Sequence, residues 1–158
     1  VEWYEMRNPN NRTRGTYLKE NWEPIQDQVT TFSEYINVIP EIQMIHTSGH
    51  SNGHSIILLK QGKDTMIHMG DLMLSHVHRN PLWVPAVDDY PMKSILAKEK
   101  WLRQAFENHY KFFFYHDQFF AVVEFDKEGK ELVDYVLRSR PPLIPFTDEQ
   151  DRKPDFLG

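Results

Sequence analysis

The pattern of apolar and polar positions changes near residue 41 of this chain. The residues before it are polar and turn-rich, with two weakly patterned stretches, residues 1–6 and 17–29, that predict short helices. Apolar and polar residues then alternate over residues 41–47, which predicts a half-buried strand. The continuous apolar run within residues 54–60 is typical of a buried strand. A mostly β core is therefore expected to begin near residue 41.

The rest of the chain adds one long helix and more strands. Residues 61–64 are a turn signal and residues 65–69 predict a returning strand, so the first three strands form a meander. Residues 91–110 predict an amphipathic helix, because apolar side chains recur at helical spacings. Those positions are Met92, Ile95, Leu96, Leu102, Phe106 and His109. Further strands are predicted at 111–115, 119–125 and 131–137. The fold class is α/β or α+β.

Composition narrows the kind of protein. The 158 residues match one ordinary domain, and cysteine is absent, which excludes disulfide scaffolds, thiolate zinc sites and cysteine nucleophiles. The formal charge of −5 argues against a nucleic-acid surface. No apolar run approaches the roughly 20 residues of a membrane span. We therefore expect a cytoplasmic protein with neither nucleic-acid nor membrane partners.

Candidate metal ligands stand where predicted strands end. Six of the eight histidines lie within residues 46–78. His50 lies in the glycine-flanked turn of residues 49–54, while Asp71 and His116 each follow another predicted strand. Imidazole plus carboxylate donors suit zinc, iron or manganese. The sequence thus places three candidate ligands at one edge of the predicted sheet.

These motifs resemble the metallo-β-lactamase superfamily. Residues 42–123 look like its second half, through Thr47-Ser48-Gly49-His50-Ser51-Asn52-Gly53-His54, then Gly70-Asp71, then His116. Residues 1–136 are most similar to its lactonase-like and organophosphate-hydrolase-like members, which include quorum-quenching N-acyl-homoserine lactonases. Residues 12–24, Trp83 and residues 88–91 contribute to that likeness. The resemblance implies the C-terminal half of an αβ/βα sandwich, a mixed, mostly antiparallel sheet with outer helices.

The resemblance also implies roles for individual residues. His50 would bind one of two divalent ions, most often zinc, His116 would bind the other, and Asp71 would bridge both as the catalytic carboxylate. His54 would be structural, and Asp117 would orient a ligand. The candidate substrate-pocket residues are His76, His78 and Trp83. The implied function is a metal-dependent hydrolase that opens lactones or related esters with an activated water. Leu74 stands where those lactonases have a tyrosine, so phosphotriesters remain an alternative small-molecule substrate.

One departure limits the resemblance. The family's H-x-H-x-D-H motif is missing, and the nearest string, at residues 76–81, follows the glycine-histidine turn and lacks the Asp-His pair. We therefore expect residues 1–137 to be a partial, truncated domain, followed by a Pro-rich tail at 138–158, with half an active site. The metal site of this chain alone should be empty or partly occupied, and the chain inactive. Alternatively, it serves as a non-catalytic binding or assembly module. Its sheet, with Ile56 and Leu58, should need cover from a second copy in a homo-oligomer or from a missing N-terminal segment.

Overall fold

The computed structural model describes residues 1–139 and contains a single seven-stranded sheet. The strands are β1 (Tyr35–Ile39), β2 (Ile42–His46), β3 (Ser55–Gln61), β4 (Asp64–His68), β5 (Lys111–Phe113), β6 (Phe120–Phe125) and β7 (Leu132–Leu137). They lie in chain order across the sheet, and every neighbouring pair is antiparallel except β4 and β5, which are parallel. The parallel pair follows from the long crossover that joins these two strands.

The helices differ greatly in length. The α-helices are α1 (Glu2–Arg7), α2 (Lys19–Trp22) and α3 (Pro91–Glu107), and short 3-10 helices occupy Thr13–Gly15, Glu23–Gln28, Gly70–Leu72 and His76–Arg79. Only α3 is long, and it forms the crossover between β4 and β5. Pro91 opens it, which suits the first turn of a helix because proline lacks an amide hydrogen.

The core lies between α3 and one face of the sheet. It is built from Ile56, Leu58, Ile67, Phe112, Val123 and Phe125 of the strands and Trp101, Leu102 and Ala105 of α3. Ile56 and Leu58 are almost completely buried, at 0% and 4% exposure. The prediction that these two side chains line an uncovered face is wrong, because α3 covers them.

The opposite face of the sheet is less completely covered within residues 1–139. Side chains alternate along a strand, so Ile57 and Leu59 point away from the face that carries Ile56. Both are half-buried, as are Met66, Phe113 and Val122 on the neighbouring strands. An apolar sheet face is therefore partly open to solvent, although not through the residues that the sequence indicated.

Most predicted elements are confirmed, with two differences. β1 lies among residues predicted to be turn-rich, and it was missed because as an edge strand it is mostly exposed. The buried face of α3 includes Ser94 and Lys98, whereas the predicted face residues Met92 and Leu96 are exposed. Both polar side chains are hydrogen-bonded to partners outside α3. Part of the buried face is therefore polar, where an apolar face was expected.

The predicted α+β class and the mixed, mostly antiparallel sheet are confirmed. The proposed Pro-rich tail, from residue 140 onwards, lies outside the described residues. Within residues 1–139, no helix is long and apolar enough to cross a membrane.

Candidate metal centre

The turn that carries His50 depends on a glycine. Gly49 has a φ of +109°, a conformation that L side chains rarely adopt, and it is packed closely against α3. A Cβ at this position would lie 2.6 Å from the Ser94 hydroxyl and 2.9 Å from Leu72. Only glycine lets the chain approach α3 this closely, and this approach sets the direction in which His50 leaves the turn.

The other side of the turn is held by α1. The Glu2 carboxylate accepts hydrogen bonds from the Gly53 amide at 2.7 Å and the Ser51 hydroxyl at 3.0 Å. It also accepts one from the Tyr17 hydroxyl. A Cβ on Gly53 would lie 2.2 Å from the Glu2 Cβ, so the second glycine of the motif makes room for this clamp.

Asp71 is presented by the 3-10 helix that follows β4. Gly70 has a φ of +56°, and the Asp71 amide donates a hydrogen bond of 3.1 Å to His54 Nε2. The His54 Nδ1 proton is directed at the Thr47 hydroxyl, 2.9 Å away. With both ring nitrogens engaged, His54 has no lone pair left for a metal. Its contacts are those of a structural imidazole.

The three predicted ligands lie together. His50 Nε2 lies 3.3 Å from Asp71 Oδ2, and His116 Nε2 lies 3.4 Å from Asp71 Oδ1. Donors at zinc bond lengths of about 2.1 Å and tetrahedral angles lie about 3.4 Å from each other. Each ring nitrogen therefore lies beside a different oxygen of the Asp71 carboxylate. Both separations would suit two ions bridged by that carboxylate.

The described residues supply two donors at each position. No group of three or more His, Asp or Glu side chains within residues 1–139 is arranged to hold one ion. Catalytic zinc sites take three protein ligands. The residues present fit a carboxylate bridge with one imidazole on either side, and they do not complete either position.

A phenol also reaches this carboxylate. The Tyr115 hydroxyl donates to Asp71 Oδ1, and its ring stacks on His68 at 5.0 Å between ring centroids. Partial burial and the bond to Asp71 raise the pKa of Tyr115 to about 12. The phenol therefore keeps its proton across the neutral range.

Asp117 makes different contacts from those predicted. Its carboxylate accepts hydrogen bonds from His76 Nδ1 at 2.6 Å and the His76 amide at 2.8 Å, and from the amides of Phe119 and Phe120. These bonds join the 3-10 helix at His76–Arg79 to the start of β6. The buried carboxylate that contacts His50 is instead Asp88, with Oδ1 2.9 Å from His50 Nδ1.

The predicted pocket residues are dispersed. His76 is buried at 4% exposure, so it does not lie at a pocket rim, and His78 is hydrogen-bonded to Ser75. Trp83 lines a cavity of about 560 Å³ against the C-terminal half of α3. A different cavity of about 1000 Å³ contains His50 and Asp71. Its other walls include parts of α1, residues 12–17, β2, residues 29–33 and Ala86, Val87 and Asp89.

Two residues at the site escaped sequence reasoning. Asp88 was not identified as a site residue, because its partner His50 is 38 positions away. Tyr115 ends an aromatic run that is typical of sheet core. The only signal in the sequence was the position of Tyr115, an aromatic residue with a hydroxyl group, directly before the candidate ligand His116.

No protein-family model and no curated protein matches the chain. Among solved structures, it is similar to a probable metal-dependent hydrolase from Staphylococcus aureus, with 38% identity and a TM-score of 0.85 over 88% of this chain and 50% of that one. AidC, a dizinc quorum-quenching lactonase, gives 15% identity and a TM-score of 0.64 over 85% of this chain and 47% of that one.

A third neighbour is AbOPH, a hydrolase in the beta lactamase superfamily, at 21% identity and a TM-score of 0.60 over 91% of this chain and 50% of that one. The chain thus spans about half the length of these structures. The resemblance indicated by the glycine-histidine and Gly-Asp motifs is confirmed. The chain has the fold of one part of a metallo-β-lactamase domain, and its structural neighbours are metal-dependent hydrolases of that superfamily, lactonases included.

Proposed function

We propose that this chain contributes half of a dinuclear metal site, with zinc as the metal, to a hydrolase that opens lactones or related esters. The observation that carries the proposal is the Asp71 carboxylate lying between His50 and His116 at ligand-to-ligand separations. The neighbouring metal-dependent hydrolase and the dizinc lactonase support the same chemistry.

In this proposal the chain's residues hold the ions and present the substrate. His50, His116 and Asp71 would hold the ions through two ring nitrogens and a carboxylate. When bound, divalent ions would supply a hydroxide at neutral pH and polarise the substrate's carbonyl oxygen. Tyr115 keeps a hydroxyl proton directed at Asp71. The cavity of about 1000 Å³ beside His50 is at the upper end of the usual volumes of small-molecule sites.

The remaining donors lie elsewhere in this proposal. Each ion receives two donors from the described residues and needs about three from protein. We therefore expect the purified 158-residue chain to bind zinc weakly and to show no turnover above background. Calorimetric titration should show this weak binding disappear in Asp71→Asn but persist in Asp64→Asn, a matched control in the exposed β3–β4 turn. Two tight sites in the chain alone would contradict the half-site.

Activity is tested in the full-length product of the gene. We expect the zinc-loaded protein to hydrolyse a γ-lactone or an aryl ester faster than a phosphotriester. Asp71→Asn should lower kcat/KM by at least about 100-fold, because loss of even an outer partner of a metal ligand typically costs 10–100-fold. If the protein prefers the phosphotriester, the proposed substrate class is wrong but the proposed metal chemistry stands.

A non-catalytic assembly role is the second candidate. The half-buried apolar face around Ile57 and Val122 favours it, because such a face suits a partner surface. A full-length protein that binds zinc but hydrolyses none of the three substrates would support this role and reject the hydrolase.

A further inference from the structure

A buried carboxylate outside the predicted ligand set contacts the site. Asp88 lies in the loop before α3, and its side chain is fully buried. Its Oδ1 is 2.9 Å from His50 Nδ1, and its Oδ2 accepts the Ser94 hydroxyl proton. Two hydrogen bonds therefore converge on one buried acid.

These contacts decide where the His50 proton lies. An ionised carboxylate only accepts hydrogen bonds, so His50 Nδ1 must carry the hydrogen that faces Asp88. The neutral ring then has its lone pair on Nε2, the nitrogen that faces Asp71 at 3.3 Å.

The buried Lys98 lies one helical turn after Ser94, and its ammonium interacts electrostatically with Asp88. Lys98 itself donates to the carbonyl oxygens of Asn80 and Trp83, at 2.8 and 2.7 Å. Burial lowers the pKa of Lys98 to about 8, so its ammonium is charged below that pH.

Backbone contacts hold the two segments in register. The Asp89 amide donates to the His50 carbonyl at 3.0 Å, and the Tyr90 amide donates to the Gly49 carbonyl at 2.9 Å. Loop and turn are therefore joined on both sides of the His50 side chain. A displacement of Asp88 would move the ring, because no other carboxylate within residues 1–139 contacts its Nδ1.

We infer that Asp88, held by Ser94, is the positioning residue of the site: it fixes the His50 ring in the Nδ1–H tautomer and directs the Nε2 lone pair at the space beside Asp71. This role rests on the proposed function only in that a metal ion would use that lone pair. The tautomer itself is a property of the metal-free chain.

The test combines ring NMR with zinc affinity in the 158-residue chain. Two-bond 1H–15N spectra at pH 7.5 should show His50 protonated on Nδ1 in the wild type. Asp88→Ala should shift the proton towards Nε2 and weaken zinc binding by about 10–100-fold. Asp88→Asn should restore the Nδ1–H tautomer, because its amide oxygen accepts from His50 while its NH2 group faces Ser94.

Asp64→Ala is the matched control. Asp64 is an exposed carboxylate where the β3–β4 turn meets β4, at the end of that strand away from Asp71. This variant should leave the tautomer and the zinc affinity unchanged. A melting curve for each variant separates loss of fold from loss of positioning.

Two results would overturn the inference: a wild-type His50 protonated on Nε2, or a folded Asp88→Ala chain with an unchanged tautomer. The wild-type measurement stands even if Asp88→Ala does not fold. If the wild type shows the Nδ1–H tautomer but neither this chain nor the full-length protein binds zinc, the proposed metal function fails and the positioning role of Asp88 survives.

Discussion

Asp71 is the residue on which the other side chains of the site depend. His50 and His116 direct ring nitrogens at its two oxygens, Tyr115 donates to one of them, and His54 accepts its amide proton. The contacts with His50 and His116 favour a cation beside the carboxylate. Those with Tyr115 and His54 hold Asp71 in place. Loss of His54 would therefore release the aspartate without removing any candidate ligand.

His54 should make folding depend on pH between about 6.5 and 4. Burial and the nearby His50 lower its pKa to about 4, whereas an unperturbed histidine titrates near 6.5. In that interval the unfolded chain binds a proton that the folded chain does not, so the free energy of unfolding rises with pH. The contribution is fully present above about 6.5 and is lost as the pH falls towards 4, by at most about 3 kcal/mol. Urea unfolding from pH 7.5 to 4.5 measures it.

A variant pair isolates this histidine. His54→Gln should reduce the pH dependence and leave the share of His68 and His78, whose pKa values burial also lowers. His109→Gln, at a half-exposed ring, should keep it in full. Asp117 does not interfere. Burial alone would raise its pKa, but hydrogen bonds from His76 and the backbone lower it to about 2, so this group acts only below about 4. Equal slopes in both variants would contradict the assignment to His54.

At the level of elements, α1 should stabilise the turn that carries His50 through Glu2. The Glu2 carboxylate accepts from Tyr17, Ser51 and Gly53, and an amide side chain cannot accept all three. Glu2→Gln should lower the free energy of unfolding by about 1–3 kcal/mol, because it leaves partly buried donors without an acceptor. Urea unfolding at pH 7.5 checks this.

The control for Glu2 is Glu20→Gln, an exposed carboxylate in α2, which should change stability by less than about 0.5 kcal/mol. Similar stability of the two variants would show that α1 does not hold the turn. A second readout is zinc affinity, which should fall in Glu2→Gln if turn order is needed for His50.

Elements governed by periodicity were predictable, whereas those governed by distant partners were not. The run from β2 to β7 follows alternation and turn residues, and α3 follows its helical period. The buried face of α3 was not predicted correctly, because Lys98 is buried there and its ammonium donates hydrogen bonds to two backbone carbonyl oxygens. His50 and Asp71 were identified as strand-end residues, but Asp88 acts only through the tertiary contact that brings residue 88 to the turn.

At the scale of the whole molecule, the sheet has two unequal faces. α3 buries Ile56 and Leu58, while Ile57 and Leu59 on the same strand stay half-buried. In register, Ile57 lies between Met44 and His68 of the neighbouring strands. Soluble monomers rarely expose apolar patches beyond a few hundred Å². In a solution of this chain alone, a second copy can cover this face.

We therefore predict that the purified chain self-associates through this face. Light scattering over a concentration series should show a mass above the 18.9 kDa of one chain, falling towards it on dilution. Ile57→Glu places a charge in the centre of the face and should shift the mass to the monomer. Leu96→Glu, at an exposed position on the outer side of α3, is the matched control and should keep the larger mass. A wild-type chain that stays monomeric and unfolds cooperatively would refute this, and would mean that the half-buried side chains are tolerated in water without a partner.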